Sequence, residues 1–268
     1  GLPIRPDYWD YQWKIDHKFD KYNSLSFIGL GSIDDFSVVA PEDFDAEQQS
    51  TIEQVPIIQQ KTRTLGLSWN RNFKNGKGRM RTVLSSNKLQ NLFSRFSDNE
   101  KKKGILFEND SQEIETKLRV KVIRFPNKWK FSYGLNFQNS TYKNNTYSLL
   151  NDFNYDTNFS FLKYGFFTNG SRSFINERLS FSFGFRFDAD TFSKGSSLIE
   201  NFSPRLATSY NLSQDGKWKL NSSLGRYFKI PTYTMLGFRD NEGTYINKNL
   251  KYTQSDHFVI GIEHNFSN

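Results

Sequence analysis

The residues best spaced for acid–base chemistry are three charged side chains on one predicted strand. Asp188 and Asp190 stand two positions apart, so they project from the same face of an extended chain. Arg186, two positions before Asp188, lies on that face too. Two carboxylates placed in this way could flank a substrate as acid and base. A charge-balanced wall explains the pattern more simply, because the arginine offsets one of the two carboxylates. We therefore predict no catalytic role for them.

Metal and phosphate sites have equally little support. The three histidines stand at positions His17, His257 and His264. The last two face opposite sides of one predicted strand, which argues against a shared metal site. The acidic run at 41–47 lacks the ligand spacing of a calcium-binding loop, and the Gly-Leu-Gly run at 29–31 does not open a helix as a phosphate loop would. The sequence thus predicts no metal, no cofactor and no enzymatic activity.

The composition excludes several classes of protein. None of the 268 residues is cysteine, which rules out a disulfide framework and a thiolate metal site. Mean hydropathy is −0.70, and no run approaches the roughly 20 apolar residues of a membrane-spanning helix. Aromatic residues reach 17%, with 27 Phe, 13 Tyr and 5 Trp, in a hydrophobic total of only 36%. Soluble cores use far more Leu, Ile, Val and Ala, so this mixture is unusual for a soluble fold.

The net charge of +8 permits an anionic partner but does not indicate a nucleic acid. Most basic residues are spread singly and alternate with apolar ones. The one cluster, 101–103, lies beside Asp98 and Glu100. We interpret it as a solvated loop and predict no nucleic-acid partner.

The hydrophobic pattern has a period of two along almost the whole chain. Between Trp9 and Phe19 every odd position is aromatic, Ile or His, and the even positions between are Asp, Gln or Lys. A helix cannot sort these residues onto one face. Such runs predict about eleven strands, at 8–19, 24–35, 61–73, 78–95, 112–125, 128–142, 155–173, 178–192, 201–213, 217–228 and 252–267. One face of these strands is aromatic and the other is charged or polar.

The connections alternate between tight turns and longer polar loops. The predicted loops span 36–60, 96–111, 143–154, 193–200 and 229–251. Antiparallel up-and-down strands with short turns at one end and long loops at the other are typical of an outer-membrane β-barrel. A soluble β-sandwich also alternates, but its strands usually run about 5–6 residues. We therefore predict an all-β, antiparallel up-and-down transmembrane barrel whose aromatic face meets lipid. The aromatics expected on this face are Trp9, Tyr11, Trp13, Trp129, Phe131, Tyr133, Phe181, Phe183 and Phe185.

The segment 201–268 resembles the barrel of TonB-dependent outer-membrane receptors, most closely those of Bacteroidetes-type bacteria. The resemblance is carried by SPRLATSYNLS, WKLNSSLGRYFKIP and LKYTQSDHFVIGIE, and segments 24–38, 45–56 and 64–78 are similar to the same group. It implies a section of a barrel of about 22 strands with a plugged lumen. Such a barrel needs more residues than this chain has. We therefore expect 1–268 to be a partial barrel domain, without the plug domain and the closing C-terminal strands.

The resemblance implies a bacterial outer-membrane receptor for energy-coupled uptake of a bulky, scarce nutrient such as a siderophore, haem, cobalamin or an oligosaccharide. The implied partners are outer-membrane lipid, a plug domain of the same parent chain, a periplasm-spanning TonB-type energy-coupling protein, the extracellular nutrient and a surface lipoprotein. A surface binding or adhesion protein without transport, and a passive porin, are the alternatives. The residues expected to meet the ligand are Arg186, Asp188, Arg226, Tyr227, Tyr233, Phe238 and Tyr245.

Overall fold

Eleven β-strands account for most of the residues that the structure describes. The computed structural model describes residues 4–38, 50, 52, 54–194 and 197–266. The strands are β1 (Ile4–Lys18), β2 (Asn23–Val38), β3 (Ile57–Asn72), β4 (Gly78–Asp98), β5 (Lys103–Arg124), β6 (Lys130–Ser148), β7 (Phe153–Phe174), β8 (Leu179–Asp190), β9 (Ser203–Asn211), β10 (Trp218–Lys229) and β11 (Thr253–His264). A short helix, α1 (Tyr233–Leu236), lies between β10 and β11. No helix in the described part of the chain combines the length and apolar character needed to cross a membrane.

The strands form one sheet in sequence order, from β1 to β11, and each is antiparallel to the next. The predicted all-β meander is confirmed, including the number of strands. We call the end of the sheet with connections at 39–56, 191–202 and 230–252 the long-loop edge, and the opposite end the short-turn edge.

The predicted loops at 96–111 and 143–154 are wrong in their extent. β5 already begins at Lys103 and β6 continues to Ser148, so only the turns 99–102 and 149–152 remain. The register is unbroken from Phe107↔Ser148 down to Arg124↔Phe131. In these extensions the two faces carry similar residues: both are polar in the run 108–111, and both are apolar at 105–107. Because the two faces do not differ there, the sequence shows no alternation and predicts a loop.

The short-turn edge is built by residues that favour tight turns. An Oδ1 atom of Asp20 accepts hydrogen bonds from the backbone amides of Tyr22 (2.6 Å) and Asn23 (2.8 Å). Asn127 and Lys128 adopt positive φ angles of 45° and 68° between β5 and β6. Such turns match the twist of antiparallel strands and hold neighbouring strands in register.

One face of the sheet is apolar and exposed. Its central row runs across five neighbouring strands through Phe27, Leu67, Leu84, Leu118 and Phe137. These side chains keep between 38% and 48% of their surface exposed. The predicted aromatic face is confirmed as a single face: Tyr133 pairs with Thr168, which pairs with Phe185, and Trp13 packs against Phe27 at 4.6 Å between ring centroids.

The other face is concave. The connection that follows β10 crosses it and reaches Glu115 on β5, Ser140 on β6 and Lys163 on β7. A connection can bridge strands that lie so far apart in the sheet only by running as a chord across the inside of the curve. The exposed aromatic face is therefore convex and the charged face is concave.

Candidate functional site

The concave wall is capped by an apolar cluster around α1. Tyr233 and Leu236 of the helix pack against Tyr142, Phe159 and Phe161 of β6 and β7, and Leu236 is fully buried. The side chain of Thr232 caps the helix by accepting a hydrogen bond from the amide of Met235. Aromatic residues from two strands and one loop thus fix the position of the connection 230–252 inside the curve.

Beneath α1 lies a polar network centred on the hydroxyl of Tyr233. The hydroxyl donates to a carboxylate oxygen of Glu115 and accepts from Nζ of Lys163 at 2.6 Å. Ser140 (3.1 Å) and Gln138 (3.3 Å) complete its surroundings. Burial and the adjacent Glu115 carboxylate raise the pKa of Tyr233 above its usual value. The neutral phenol is thus the form that holds the loop to the wall.

A pocket of about 380 Å³ opens beside this network on the concave wall. Its polar lining comes from β6, β7, β8 and β10 and consists of Asn136, Gln138, Lys163, Arg186, Asp188 and Lys229. Arg186 forms a bidentate ion pair with Asp188, in which Nη2 and Oδ1 are 2.6 Å apart. Both side chains remain partly exposed, at 34% and 21%. Nδ2 of Asn136 is buried without a hydrogen-bond partner among the described residues.

The electrostatic character of this pocket is cationic. Three positive side chains line it, against the single carboxylate of Asp188. The buried amide donor of Asn136 adds to a set of hydrogen-bond donors that exceeds the acceptors. Chemically, the pocket suits an anionic or acceptor-rich ligand.

The cationic character extends towards the short-turn edge of the concave wall. Arg81 and Lys121 lie directly opposite each other on β4 and β5. Together with Lys117 and Arg119 they line a second pocket of about 410 Å³. Lys117 is ion-paired with Glu115 at 2.6 Å, whereas Arg119 lies over the ring of Phe167. The face predicted to be polar and charged is therefore predominantly basic.

The predicted ligand residues fall into two groups. Arg186, Asp188 and Tyr227 lie on the concave face, where Arg205 covers the ring of Tyr227 at 4.4 Å. Arg226 faces the opposite, convex side and pairs with Asp256, its cross-strand neighbour, at 2.7 Å. Adjacent strand residues point to opposite faces, so Arg226 and Tyr227 cannot contact the same luminal ligand.

The three predicted loop aromatics lie above the pocket. Tyr233 is buried in the network described above. Tyr245 donates from its hydroxyl to the carbonyl of Asn158 at 3.0 Å and packs against Phe159. Phe238 stacks on Tyr155 and keeps 44% of its surface exposed. The sequence had not singled out Glu115, Ser140 or Lys163 as site residues, and only their polar, concave-facing positions could have indicated them.

The part of the chain that the structure describes contains no group of three or more His, Asp or Glu side chains arranged to hold a metal ion.

A family model described as "TonB dependent receptor-like, beta-barrel" matches residues 5–268. No curated protein matches the chain in sequence. Three solved structures are similar in fold. The copper transporter OprC has a TM-score of 0.74 at 13% identity, with 99% of this chain and 44% of that chain covered. The siderophore receptor PirA from Acinetobacter baumannii has a TM-score of 0.71 at 12% identity, covering 98% and 41%. The ferric enterobactin receptor PfeA from Pseudomonas aeruginosa, as a G324V mutant, has a TM-score of 0.70 at 13% identity, covering 98% and 40%. The chain thus spans less than half the length of each of these proteins.

Proposed function

The chain belongs to the TonB-dependent receptor family through its β-barrel, and on that premise we propose that it forms the ligand-facing wall of a transporter for energy-coupled nutrient uptake. Receptors of this family reside in the bacterial outer membrane and are not enzymes. The exposed convex face is then the lipid-facing surface and the concave face lines the lumen. In this orientation the long-loop edge is extracellular.

The intact barrel is proposed to contain further strands and a plug domain in the same parent chain. The outer edges of β1 and β11 have no partner strand among the described residues. An open sheet edge cannot persist in lipid, because its backbone groups would lack hydrogen bonds. The basic concave wall around Arg81 and Lys121 would face the plug, and it suits a plug surface rich in carboxylates. A TonB-type periplasm-spanning protein would supply the force that displaces this plug. A surface lipoprotein could assist the receptor from outside.

The proposed ligand is a bulky, scarce and anionic nutrient, and among the candidate nutrients a ferric siderophore fits best. The observation that carries this choice is the cationic pocket beneath α1, with Lys163, Arg186 and Lys229 against one carboxylate. Ferric complexes of catecholate siderophores are anionic and rich in oxygen acceptors. Asp188, Tyr227, Tyr233, Phe238 and Tyr245 are proposed to complete the ligand surface. The Bacteroidetes-type origin stays a prediction from the sequence alone, and the solved relatives named above lend it no support.

Uptake of ⁵⁵Fe-enterobactin by cells that carry the full-length receptor and no other ferric-siderophore receptor tests this proposal. We expect uptake that stops when a protonophore collapses the proton gradient or when the energy-coupling protein is deleted. Uptake that persists without energy would indicate a passive porin. Binding without uptake would indicate a surface binding protein. Absence of both would exclude enterobactin, the catecholate siderophore tested, as the ligand.

Two arginines provide a matched pair of variants for this assay. Arg186→Gln removes a cation from the luminal pocket, whereas Arg226→Gln removes one from the convex face. Each substitution breaks a bidentate ion pair. We expect Arg186→Gln to weaken the apparent affinity about tenfold, the value of one charge-assisted hydrogen bond. Arg226→Gln should leave the affinity unchanged. Equal effects of the two variants would refute the assignment of the pocket.

A further inference from the structure

Three cations lie on the convex face where its apolar band ends towards the long-loop edge. Lys61 and Arg63 belong to β3, and Lys88 belongs to β4. Arg63 and Lys88 are direct cross-strand neighbours. On the same face, the next cross-strand pair towards the short-turn edge is Leu65 and Ser86. We call Lys61, Arg63 and Lys88 the outer cationic patch.

Two other arginines of the convex face are each paired with a carboxylate, whereas the outer cationic patch has no such partner in the described part of the chain. Arg5 pairs with Asp7 at 3.2 Å, and Arg226 pairs with Asp256 at 2.7 Å. Within the described ranges, no carboxylate lies within ion-pair distance of the three patch residues. Like charges directly opposite each other on a sheet face destabilise the pairing of the strands. An anion between Arg63 and Lys88 would relieve this repulsion.

The surroundings of the patch indicate what kind of anion this is. On the short-turn side the same strands present exposed leucines, with Leu65, Leu67 and Leu84 at 40%, 38% and 48% exposure. On the long-loop side the convex face becomes polar, with Gln59 and Gln90 as the next residues after the patch. The patch thus lies at the boundary between lipid tails and water, where lipid headgroups reside.

We propose that Arg63 and Lys88, supported by Lys61, bind a phosphate of a lipid A-type headgroup, the phosphorylated glycolipid of the outer leaflet. Directly opposed side chains on a sheet have Cβ atoms about 5 Å apart, so a guanidinium and an ammonium can converge on one phosphate. The acyl chains of the same lipid would then lie along the exposed leucines of β3 and β4. This site concerns the lipid contact of the outer wall and is independent of the luminal ligand.

Binding of purified bisphosphorylated lipid A to the delipidated full-length protein, measured by native mass spectrometry, tests the proposal. We expect the double variant Arg63→Gln/Lys88→Gln to bind about 30-fold more weakly, from the value of two basic residues near a charged membrane surface. The conservative variant Arg63→Lys/Lys88→Arg keeps both charges and should retain binding. Heat-dependent mobility in gel electrophoresis reports whether each variant has folded. If the double variant does not fold, the single variants Arg63→Gln and Lys88→Gln carry the test, each with lipid A binding about fivefold weaker.

The chain offers a matched control in Arg71, which lies on the same strand and the same face, beyond Trp69 towards the short-turn edge. Arg71→Gln should leave lipid A binding unchanged. Dephosphorylated lipid A should bind equally weakly to the native protein and to the double variant, and millimolar inorganic phosphate should not compete. The proposal is overturned if the double variant binds lipid A normally or if Arg71→Gln causes the same loss. It is also overturned if inorganic phosphate displaces lipid A, or if phosphatidylglycerol binding falls by the same factor as lipid A binding.

Discussion

The hydroxyl of Tyr233 is expected to hold the α1 connection against the concave wall, and Tyr233→Phe removes that single group. The hydroxyl bonds to two charged side chains, Glu115 and Lys163. Hydrogen bonds to charged groups contribute about 1.5–3 kcal/mol each. The loss is smaller here because both charged groups retain another partner. Glu115 keeps its ion pair with Lys117 at 2.6 Å, and Lys163 keeps its ion pair with Glu115 at 3.7 Å. We therefore expect the docked state of the loop to lose about 1.5 kcal/mol.

Hydrogen exchange measures this loss directly. The amides of Leu236 and Gly237 donate to the carbonyls of Thr232 and Tyr233 at 3.0 and 2.8 Å, so they exchange only when the helix opens. A loss of about 1.5 kcal/mol corresponds to roughly tenfold faster exchange at these amides. Tyr133→Phe, a change on the convex face, is the matched control and should leave their exchange rates unaltered. Unchanged protection in Tyr233→Phe would refute the idea that this hydroxyl anchors the loop.

Three further outcomes follow from the same structure. Leu236→Ala leaves a cavity at a fully buried position and should destabilise the docked loop by about 2–5 kcal/mol. Limited proteolysis should then show a new cleavage within 230–252, and an uncut loop would contradict the packing described for Leu236. Because the folded-state pKa of Tyr233 is raised, the neutral form stabilises docking below the ordinary pKa of about 10, and this stability should be lost as pH rises from there towards the raised value. A dye on Met235→Cys should report this loss, and Tyr233→Phe should abolish the step; a step that survives the substitution would implicate another group. Phe183→Arg on the convex face should cost about 2–4 kcal/mol in the intact barrel and Ser182→Arg far less, as measured by urea unfolding in lipid vesicles; similar costs would contradict the assigned faces.

The architecture could be predicted from the sequence wherever one face of a strand meets lipid. The alternation of Phe181, Phe183 and Phe185 with serine and glycine reports both the strand and the direction of its side chains, because the two faces meet different solvents. The signal disappears at 103–111 and 143–148, where the two faces do not differ in polarity. The strands persist there because the backbone hydrogen bonds between neighbouring strands continue. These bonds do not require the two faces of the sheet to meet different solvents.

The site could be predicted only in part, since it depends on where a long connection folds back. Tyr233 lies 118 residues after Glu115, and no local pattern indicates that the two meet. Arg186 and Asp188 were recognisable because they lie two apart on a polar face. Arg226 was assigned to the ligand together with Tyr227, although consecutive residues of a strand face opposite sides. The alternation with a period of two, applied residue by residue, places Arg226 and Tyr227 on opposite faces.

The central claim, that the convex face meets lipid and the concave face an aqueous lumen, is tested most directly by paired spin labels. These 268 residues contain no cysteine, so Phe183→Cys and Ser182→Cys place single labels on adjacent residues of β8 once any cysteine elsewhere in the full-length receptor has been replaced by serine. In outer-membrane vesicles of the full-length receptor, we expect oxygen dissolved in lipid to relax the label at 183 and a water-soluble nickel chelate to relax the label at 182. Equal relaxation of both labels by the nickel chelate would contradict the account.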